Sequence, residues 1–353
     1  MTSTDRTDPA GTPMDLFRMI TGHYVSGALH VAAGIELADR MAPGAHDYRA
    51  LARATGTHPP ALRRLLRFLA SVGVVHDEGD DHFSLTGLGG HLRANAAGSL
   101  RAVALHHGGP TERASWGELL HSVRSGGTAF EYAYGESVYA YLAGRPAAAE
   151  VFDRAMDALA GPVAADVVEA YDFTGRELIV DVGGGKGGLL TAILRANPAA
   201  RGIVFDAPQV IDGTRGAVNG AGLAGRCRCA GGDFFDEVPA GGDVYLLKSV
   251  IHNWDDDRAG RILRNCRRAM APDAVLLLVE IVLPGRVRPG LASRTATGCD
   301  LNMLVHTGGR ERTGDEYRAL LDSAGLSLRR IVPAQSGESA VKGMMSIVEG
   351  VPQ

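Results

Sequence analysis

The second half of the chain alternates short apolar runs with helical stretches, and this alternation constrains the fold more than any other feature. Each apolar run has the length of a β-strand, and most are followed by residues with the apolar spacing of a helix. The predicted strands cover 178–182, 202–205, 244–248, 274–281, 326–331 and 344–348, and the predicted helices cover 187–196, 210–221, 256–270 and 315–324. Continuous apolar strands separated by helices form a mainly parallel sheet that is covered on both faces. The sequence therefore predicts an α/β fold for this half.

The first hundred residues follow another pattern. A helix with an apolar face is predicted over 14–30, a short helix over 48–55 and a longer helix over 61–72. Segments 74–76 and 82–85 flank a polar turn and are typical of a β-hairpin. Two helices followed by a hairpin indicate a winged helix-turn-helix module.

Charge argues against nucleic-acid binding, although winged helices often bind DNA. The formal net charge of the chain is -4. Residues 1–100 contain nine arginines, no lysine and ten acidic side chains. A DNA-binding module needs a basic face, so the charge favours a packing or dimerisation role for this module.

Targeting signals are not evident in the sequence. No apolar run approaches the roughly 20 residues that are needed to cross a bilayer. The polar segment 1–13 lacks the basic and apolar regions of a signal peptide. We therefore expect a cytoplasmic protein that does not bind membranes.

Cysteine and histidine spacing gives no sign of a metal or redox site. The four cysteines include no Cys-X-X-Cys pair, and Cys227 and Cys229 are spaced like two residues on one face of a strand. His106, His107 and His121 lack the spacing of metal ligands. We expect free thiols and scattered polar histidines.

The sharpest local motif is a glycine loop between a predicted strand and a predicted helix, Asp181-Val182-Gly183-Gly184-Gly185-Lys186-Gly187-Gly188. Glycine lets a ligand approach the backbone closely, and a helix N-terminus presents unpaired N–H groups. Gly183, Gly185 and Gly188 satisfy the dinucleotide fingerprint GxGxxG, whereas Gly183, Gly185 and Gly187 satisfy the looser GxGxG of S-adenosylmethionine (SAM) sites. The loop alone leaves NAD and SAM open, although Asp181 favours SAM.

Further polar residues follow the neighbouring strands. Asp206 ends the next strand, 25 residues after Asp181, where a carboxylate can accept hydrogen bonds from both ribose hydroxyls. In Gly232-Asp233-Phe234-Phe235, Asp233 could bind an adenine amino group and Phe234 could stack on the ring. His252 lies just past another strand, at the edge where open α/β sheets place their ligands.

Five motifs in this order resemble the plant-type small-molecule O-methyltransferases, the caffeic acid O-methyltransferase-like family, and their bacterial relatives. The motifs are Asp181-Val182-Gly183-Gly184-Gly185, Phe205-Asp206-Ala207-Pro208, Gly232-Asp233-Phe234-Phe235, His252-Asn253-Trp254-Asp255-Asp256 and Gly308-Gly309-Arg310-Glu311-Arg312-Thr313. The resemblance implies a Rossmann-like, SAM-dependent catalytic domain, an N-terminal module for dimerisation, and no metal. It divides the chain into a winged-helix-like dimerisation domain at 14–101, a helical connector and substrate-lining region at 102–170, and a SAM-binding domain at 171–353.

The resemblance also implies roles for single residues. The ribose-binding acid of the family falls on Asp206, the adenine-side pair on Asp233 and Phe234, and the lysine that lines the SAM pocket on Lys248. The glycine loop adds Asp181, Gly183 and Gly185 to the predicted cofactor-binding residues. The catalytic base falls on His252, and its two flanking acids fall on Glu280 and Glu311. The predicted substrate-binding residues are Met156, Asn253, Trp254 and Met303.

One departure from the plant pattern narrows the choice of substrate. Thr307 alone separates His306 from the glycines of the last motif, whereas the plant pattern has Asn-Pro there. The shorter loop resembles the bacterial branch, and it argues against a plant-like phenylpropanoid substrate.

The main hypothesis is SAM-dependent methylation of a hydroxyl on an aromatic or polyketide-like small molecule, with S-adenosylhomocysteine (SAH) as the product. A phenol has a pKa near 10, so a positioned imidazole with a pKa of about 6.5 is a suitable general base. The alternatives are N-methylation or a non-methylating reaction on the same scaffold, an NAD-dependent dehydrogenase, and a SAM-sensing winged-helix regulator that binds DNA. Asp255, Asp256 and Asp257 are predicted to cap and begin the next helix rather than to act as catalytic acids.

Overall fold

The computed structural model describes residues 11–41, 43–334 and 344–353. The chain forms two compact units. The first reaches to Arg113 and includes Glu150–Ala155, and the second comprises Ala114–Ala149 and Met156–Gln353. In the described part of the chain, no helix is long and apolar enough to cross a membrane.

The first unit is mainly helical and carries a small antiparallel sheet. Its helices are α1 (Pro13–Ile20), α2 (Gly22–Gly34), α3 (Leu37–Arg40), α4 (Tyr48–Thr55), α5 (Pro59–Ser71), α6 (Gly87–Gly90) and α7 (Arg101–His107). Its strands are β1 (His46–Asp47), β2 (Val75–Gly79) and β3 (His82–Leu85), in the order β1-β3-β2. The predicted helices at 48–55 and 61–72 and the predicted hairpin are confirmed.

The predicted single helix over 14–30 is wrong, because the structure has α1 and α2 with a break at Thr21. The hydroxyl of Thr21 donates a hydrogen bond to the carbonyl oxygen of Phe17 (2.9 Å), and Gly22 follows. Side-chain bonds of this kind compete with the helical backbone pattern. The apolar spacing continues across Thr21, so the pattern did not reveal the break.

The remaining helices either join the two units or belong to the second unit. They are α8 (Pro110–Gly117), α9 (Leu119–Ser125), α10 (Ala129–Tyr134), α11 (Val138–Ala143), α12 (Pro146–Ala170), α13 (Gly188–Ala196), α14 (Pro208–Gly220), α15 (Asp256–Ala269), α16 (Leu291–His306) and α17 (Gly314–Ser323). A 3₁₀ turn covers Ile251–Asn253. The α16 helix was not predicted, because half-buried residues lie around most of its circumference instead of along one face.

An eight-stranded sheet forms the centre of the second unit. Its strands are β4 (Leu178–Val182), β5 (Arg201–Asp206), β6 (Cys227–Gly231), β7 (Val244–Lys248), β8 (Val275–Leu283), β9 (Arg312–Thr313), β10 (Leu326–Pro333) and β11 (Met345–Pro352). Their order is β10-β11-β8-β7-β4-β5-β6, and β9 pairs in parallel with β8. The pairs from β6 to β8 are parallel, whereas β11 runs antiparallel to β8 and to β10.

Both faces of this sheet are buried, as the continuous apolar strands predicted. In β4, Ile179 belongs to one core cluster, and Val180 and Val182 belong to the other. In β7, Leu246 and Leu247 divide in the same way. Successive residues of a strand point to opposite faces, so each apolar strand contributes to two cores. The fold is therefore the predicted Rossmann-like α/β domain preceded by a mainly helical domain.

Candidate active site

The predicted site residues of the second unit gather at one edge of the sheet. Asp206 and Lys248 end strands β5 and β7, and the glycine loop follows β4. Parallel strands place their carboxyl ends at a common edge, where open α/β sheets bind ligands. Glu280, near the end of β8, lies at the same edge.

The glycine loop uses backbone conformations that few other residues adopt. Gly183, Gly185 and Gly187 have φ values of 70°, 56° and 75°. A Cβ atom at Gly183 would lie 2.8 Å from a methyl carbon of Val250, whereas a Cβ atom at Gly185 would meet open space. The loop therefore stays close to the neighbouring turn and leaves a free surface beside Gly185.

Asp206 faces this free surface with an oriented carboxylate. Its Oδ2 accepts a hydrogen bond from the N–H of Gly185 (2.8 Å), and its Oδ1 accepts one from the N–H of Ala207 (2.7 Å). Burial raises the pKa of Asp206, and these two hydrogen bonds oppose the rise. Each carboxylate oxygen retains a lone pair for a ligand hydroxyl.

Asp181 lies beneath the loop, and its exposed fraction is 1%. A Cβ atom at Gly184 would lie 2.7 Å from its Oδ2. Burial raises the pKa of Asp181 to about 7, although the ammonium group of Lys248 opposes the rise. This position supports the loop from below, and direct contact of Asp181 with a cofactor stays a prediction.

Phe234 and Asp233 form the neighbouring wall. The Cε1 of Phe234 lies 3.8 Å from the Cβ position of Gly183, so the ring stands beside the glycine loop. Asp233 is exposed, and its Oδ1 accepts a hydrogen bond from the N–H of Phe235 (2.8 Å). This bond fixes the turn and leaves the second carboxylate oxygen available.

Lys248 and Ser249 mark the end of β7. Burial lowers the pKa of Lys248, although nearby carboxylates, including Glu280 and Asp181, raise it. Among the described residues, none makes a hydrogen bond to its ammonium group. Ser249 has a φ of 55°, an uncommon backbone conformation that is often found at functional sites.

His252 lies in the 3₁₀ turn beyond Ser249, between two buried carboxylates. Its Nδ1 lies 3.1 Å from Oε2 of Glu280 and 3.0 Å from Oε1 of Glu311. The side chain of His252 is 14% exposed, and those of Glu280 and Glu311 are 0% and 1% exposed. Both acids therefore face the same ring nitrogen, whereas Nε2 makes no hydrogen bond to any described residue.

Hydrogen bonds from other elements hold the two glutamates in place. Oε1 of Glu280 accepts hydrogen bonds from the N–H groups of Val250 (3.0 Å) and Ile251 (2.8 Å). The backbone N–H of Glu311 donates to Oδ1 of Asp300 in α16 (2.9 Å). The carboxylate of Glu280 and the backbone of Glu311 are thus fixed beside His252.

These charges change the protonation of the site. Burial lowers the pKa of His252, but Glu280 and Glu311 outweigh it and raise that pKa to about 10. Burial raises the pKa of Glu311, against the opposing effect of His252. His252 and Glu311 therefore compete for protons, and their two titration steps belong to the pair and not to either residue.

The three groups could also hold a metal ion, because their donor atoms lie within 4.8 Å of one another. The expectation that no metal is needed stays a prediction.

His106 and His107 form a second cluster in the first unit: their ring nitrogens lie 3.4 and 3.5 Å from the carboxylate of Glu112. The interpretation of these two histidines as scattered polar positions is therefore wrong, because the Gly108-Gly109 corner brings α8 back towards α7.

The predicted substrate-binding residues take different positions. Trp254 packs edge-on against Phe235, with ring centres 4.8 Å apart. The amide of Asn253 donates to the carbonyl oxygen of Ser249 (3.0 Å), so it holds the turn. Met156 on α12 and Met303 on α16 are half-buried, and their contact with a substrate stays a prediction.

Sequence reasoning missed three residues around His252. Asp300 binds the backbone of Glu311, as described above. Gly309 touches the backbone of the His252 turn, and Arg312 is completely buried behind it. The motif containing Gly309 and Arg312 was recognised in the sequence, but only Glu311 was given a role. Asp255 caps α15 as predicted, by accepting from the N–H of Arg258 (2.8 Å).

Comparison with known proteins identifies the family. A family model described as an O-methyltransferase domain matches residues 116–327, and one described as an O-methyltransferase dimerisation domain matches residues 17–93. The chain belongs to the plant-type O-methyltransferase family. The relatives place it among the bacterial members. Phenazine O-methyltransferase PhzM of Lysobacter antibioticus is 43% identical over 97% of this chain and 99% of its own length.

Two further comparisons concern the cofactor and the accepting atom. NcsB1, an O-methyltransferase from neocarzinostatin biosynthesis, has been solved with SAM and 2-hydroxy-5-methyl naphthoic acid. It is 33% identical with a TM-score of 0.82, and the match covers 98% of this chain and 100% of that one. The 8-amino-8-demethylriboflavin N,N-dimethyltransferase of Streptomyces davaonensis is 35% identical over 88% of this chain and 89% of its own length. The enzyme is a SAM-dependent methyltransferase of the type found in secondary metabolism.

The residues at the sheet edge fit SAM. The open surface beside Gly185 adjoins the carboxylate of Asp206, which suits a ribose. The half-buried ammonium group of Lys248 lacks a hydrogen-bond partner among the described residues, which suits an anionic group of the ligand. Phe234 provides an apolar wall beside the glycine loop.

Proposed function

We propose that the enzyme methylates a hydroxyl group of a small aromatic or polyketide-like molecule and that His252 is the general base. The observation that carries this proposal is the pair of buried carboxylates at Nδ1 of His252. A base for a hydroxyl needs one ring nitrogen oriented by acids and the other available to the acceptor. SAM, when bound, supplies an electrophilic methyl group on a sulfonium, which is a good leaving group.

Proton sharing makes the base available at neutral pH. With both glutamates ionised, the raised pKa of about 10 keeps a proton on each nitrogen of His252. Moving one proton to Glu311, whose own pKa is raised, leaves Nδ1–H facing Glu280 and a lone pair on Nε2. This state has the same number of protons and the same net charge, and in it Nε2 can accept the proton of the acceptor hydroxyl.

In the reaction, Nε2 of His252 takes the proton of the acceptor hydroxyl as its oxygen attacks the methyl group. The resulting imidazolium is stabilised by Glu280, which the backbone of the same turn holds in place. General bases of this kind contribute on the order of 10²–10⁴-fold to the rate. Met156, Trp254 and Met303 are proposed to contact the acceptor, and Asp206, Asp233, Phe234 and Lys248 the cofactor.

Methyl transfer to a matched acceptor panel tests this function. Hydroxylated bicyclic and tricyclic aromatic acids are incubated with SAM, each beside its amino analogue and its methyl ether, and SAH release and product masses are measured. We expect O-methylated products from hydroxyl acceptors and none from the ethers, with and without a chelator. Methylation of the amines alone would instead establish N-methylation, the activity named for the riboflavin-related relative.

Replacing Asp206 by alanine should weaken cofactor binding. The change removes charge-assisted hydrogen bonds to a ribose, so we expect a loss of about 1–3 kcal/mol in SAH affinity. Calorimetric titration with SAH measures it. Asp212→Ala is the matched control, because this exposed carboxylate on α14 pairs only with Arg215 among the described residues. Equal SAH dissociation constants in both variants would contradict the ribose contact.

We also propose that the enzyme is a homodimer through its N-terminal domain. Large apolar side chains of α1 are more than half exposed in the single chain: Met14, Leu16, Phe17, Met19 and Ile20. Apolar surface of this kind is normally covered by a partner. Light scattering at twice the chain mass would support the dimer, and the mass of one chain would exclude it.

A further inference from the structure

Residues Gly309–Arg312 surround the turn that carries His252. The N–H of Arg310 donates to the carbonyl oxygen of His252 (2.8 Å), and Glu311 reaches Nδ1 from the other side. Gly309 is so close to the turn that a Cβ atom there would lie 2.0 Å from the same carbonyl oxygen. The backbone of one motif therefore packs directly on the backbone of the other.

Arg312 completes this contact from within the protein. Its side chain is 0% exposed and is among the largest fully buried side chains. Nη1 donates to the carbonyl oxygen of Ile251 (3.3 Å), and Nη2 donates to that of Trp254 (2.9 Å). The guanidinium thus binds the turn on both sides of His252.

Asp256 supplies the ion pair of Arg312. Its Oδ1 lies 2.7 Å from Nη2 and 3.0 Å from Nε. Asp256 begins α15, immediately after the His252 turn, so Arg312 also fixes where that turn ends. The strand β9 that holds Arg312 pairs with Val282 and Leu283 of β8, the strand that carries Glu280.

We propose that Arg312 is a positioning residue, which holds the His252 turn so that Nδ1 stays between Glu280 and Glu311 and Nε2 stays directed to the acceptor. This inference rests on the proposed role of His252. It adds a residue that touches neither cofactor nor acceptor and acts only through the turn.

The chemistry of arginine suits this task. A guanidinium has five N–H donors in a rigid plane, and Arg312 directs three of its nitrogens to two carbonyl groups and one carboxylate around the turn. Lysine would keep the charge but lacks the planar geometry, so it cannot hold both sides of the turn.

The test compares Arg312→Gln and Arg312→Lys with Arg310→Gln. Arg310 is the matched control, because its side chain, which is 42% exposed, pairs with Asp256 (3.6 Å) and with Glu316 but makes no hydrogen bond to the turn among the described residues. A small displacement of a catalytic group can cost about 10²-fold, so we expect kcat to fall by about this factor in Arg312→Gln. The SAH dissociation constant should stay within about twofold of wild type, and Arg312→Lys should recover part of the loss.

A second readout does not depend on methyl transfer. In nitrogen-15 histidine-labelled protein, the imidazole of His252 should keep its proton to about pH 10, because both carboxylates face it. In Arg312→Gln the ring leaves this position, so its titration should move towards neutral pH. If wild type methylates no hydroxyl, the proposed function fails, whereas this NMR comparison still tests the position of the turn.

The proposal is overturned if a folded Arg312→Gln protein keeps both the wild-type kcat and the wild-type His252 titration. If Arg312→Gln does not fold, kcat and the His252 titration are measured in Arg312→Lys instead, because lysine retains the buried charge. Wild-type values of both in that variant would overturn the proposal. An equal loss of kcat in Arg310→Gln would also overturn it, since the effect would then belong to the surrounding ion pairs and not to the contact of Arg312 with the turn.

Discussion

Replacing His252 by alanine should lower kcat by about 10²–10⁴-fold with little change in SAH affinity. The side chain lies beyond the glycine loop, and its only ion-pair contacts among the described residues are Glu280 and Glu311. The residues proposed to hold the cofactor therefore stay in place. Steady-state kinetics with a phenolic acceptor and calorimetry with SAH measure the two effects separately.

The acidity of the acceptor provides a sharper test of the same base. A phenol that is already ionised at the assay pH needs no base, so the loss in His252→Ala should shrink as the phenol pKa falls. The control is His76→Ala, an exposed histidine on β2 of the first unit, which should behave like wild type. A loss that is equal for acidic and weakly acidic phenols would show that His252 serves another purpose than proton removal.

Replacing Gly309 by alanine should lower kcat by about 10²-fold or more, because the added methyl group must displace the His252 turn. Its Cβ would lie 2.0 Å from the carbonyl oxygen of His252, 2.4 Å from the carbonyl carbon of Asn253 and 2.6 Å from the nitrogen of Trp254. All three are backbone atoms, so no flexible side chain can move aside.

Thermal unfolding and SAH binding complete this test. We expect a lower melting temperature in Gly309→Ala, since either the turn or the last motif has to shift. Gly285→Ala is the matched control, because a Cβ atom there meets no other atom within 4 Å. Wild-type kinetics in Gly309→Ala would mean that the two backbone segments are not in the close contact described here.

These two substitutions act on the same turn from different directions. His252→Ala removes the imidazole that takes the proton and leaves its surroundings unchanged. Gly309→Ala keeps that imidazole but moves it. A loss that depends on phenol acidity is therefore expected for His252→Ala. The added methyl group would also displace Trp254, which is proposed to contact the acceptor, so Gly309→Ala should lose activity for acidic phenols as well.

The sequence by itself determined the fold class and the family, and it supplied the candidate site residues. Continuous apolar strands such as 178–182 and 244–248 specify a sheet buried on both faces, because each face needs its own apolar residues. The order of the glycine loop, Asp206, His252 and Glu311 along the chain was enough to indicate the family. These are local patterns, and local patterns can be read without knowing which segments meet.

Sequence reasoning did not reveal contacts between residues far apart along the chain. It gave no role to Arg312, since a charged residue is normally exposed and only the pairing of β9 with β8 buries this one. It also missed the break at Thr21, where one hydroxyl overrides a continuous apolar pattern. Placing His106 and His107 beside Glu112 likewise depends on a turn whose direction the spacing does not show.

A candidate base could thus be named from the sequence, but its protonation could not. Glu280 and Glu311 raise the pKa of His252 to about 10, and that depends on distances of about 3 Å between segments that are distant in sequence. Such distances follow from strand order, register and the close approach of Gly309, which only the tertiary structure decides. Electrostatic interactions inside a protein vary steeply with separation and burial, so the residue types alone leave the protonation of the site open.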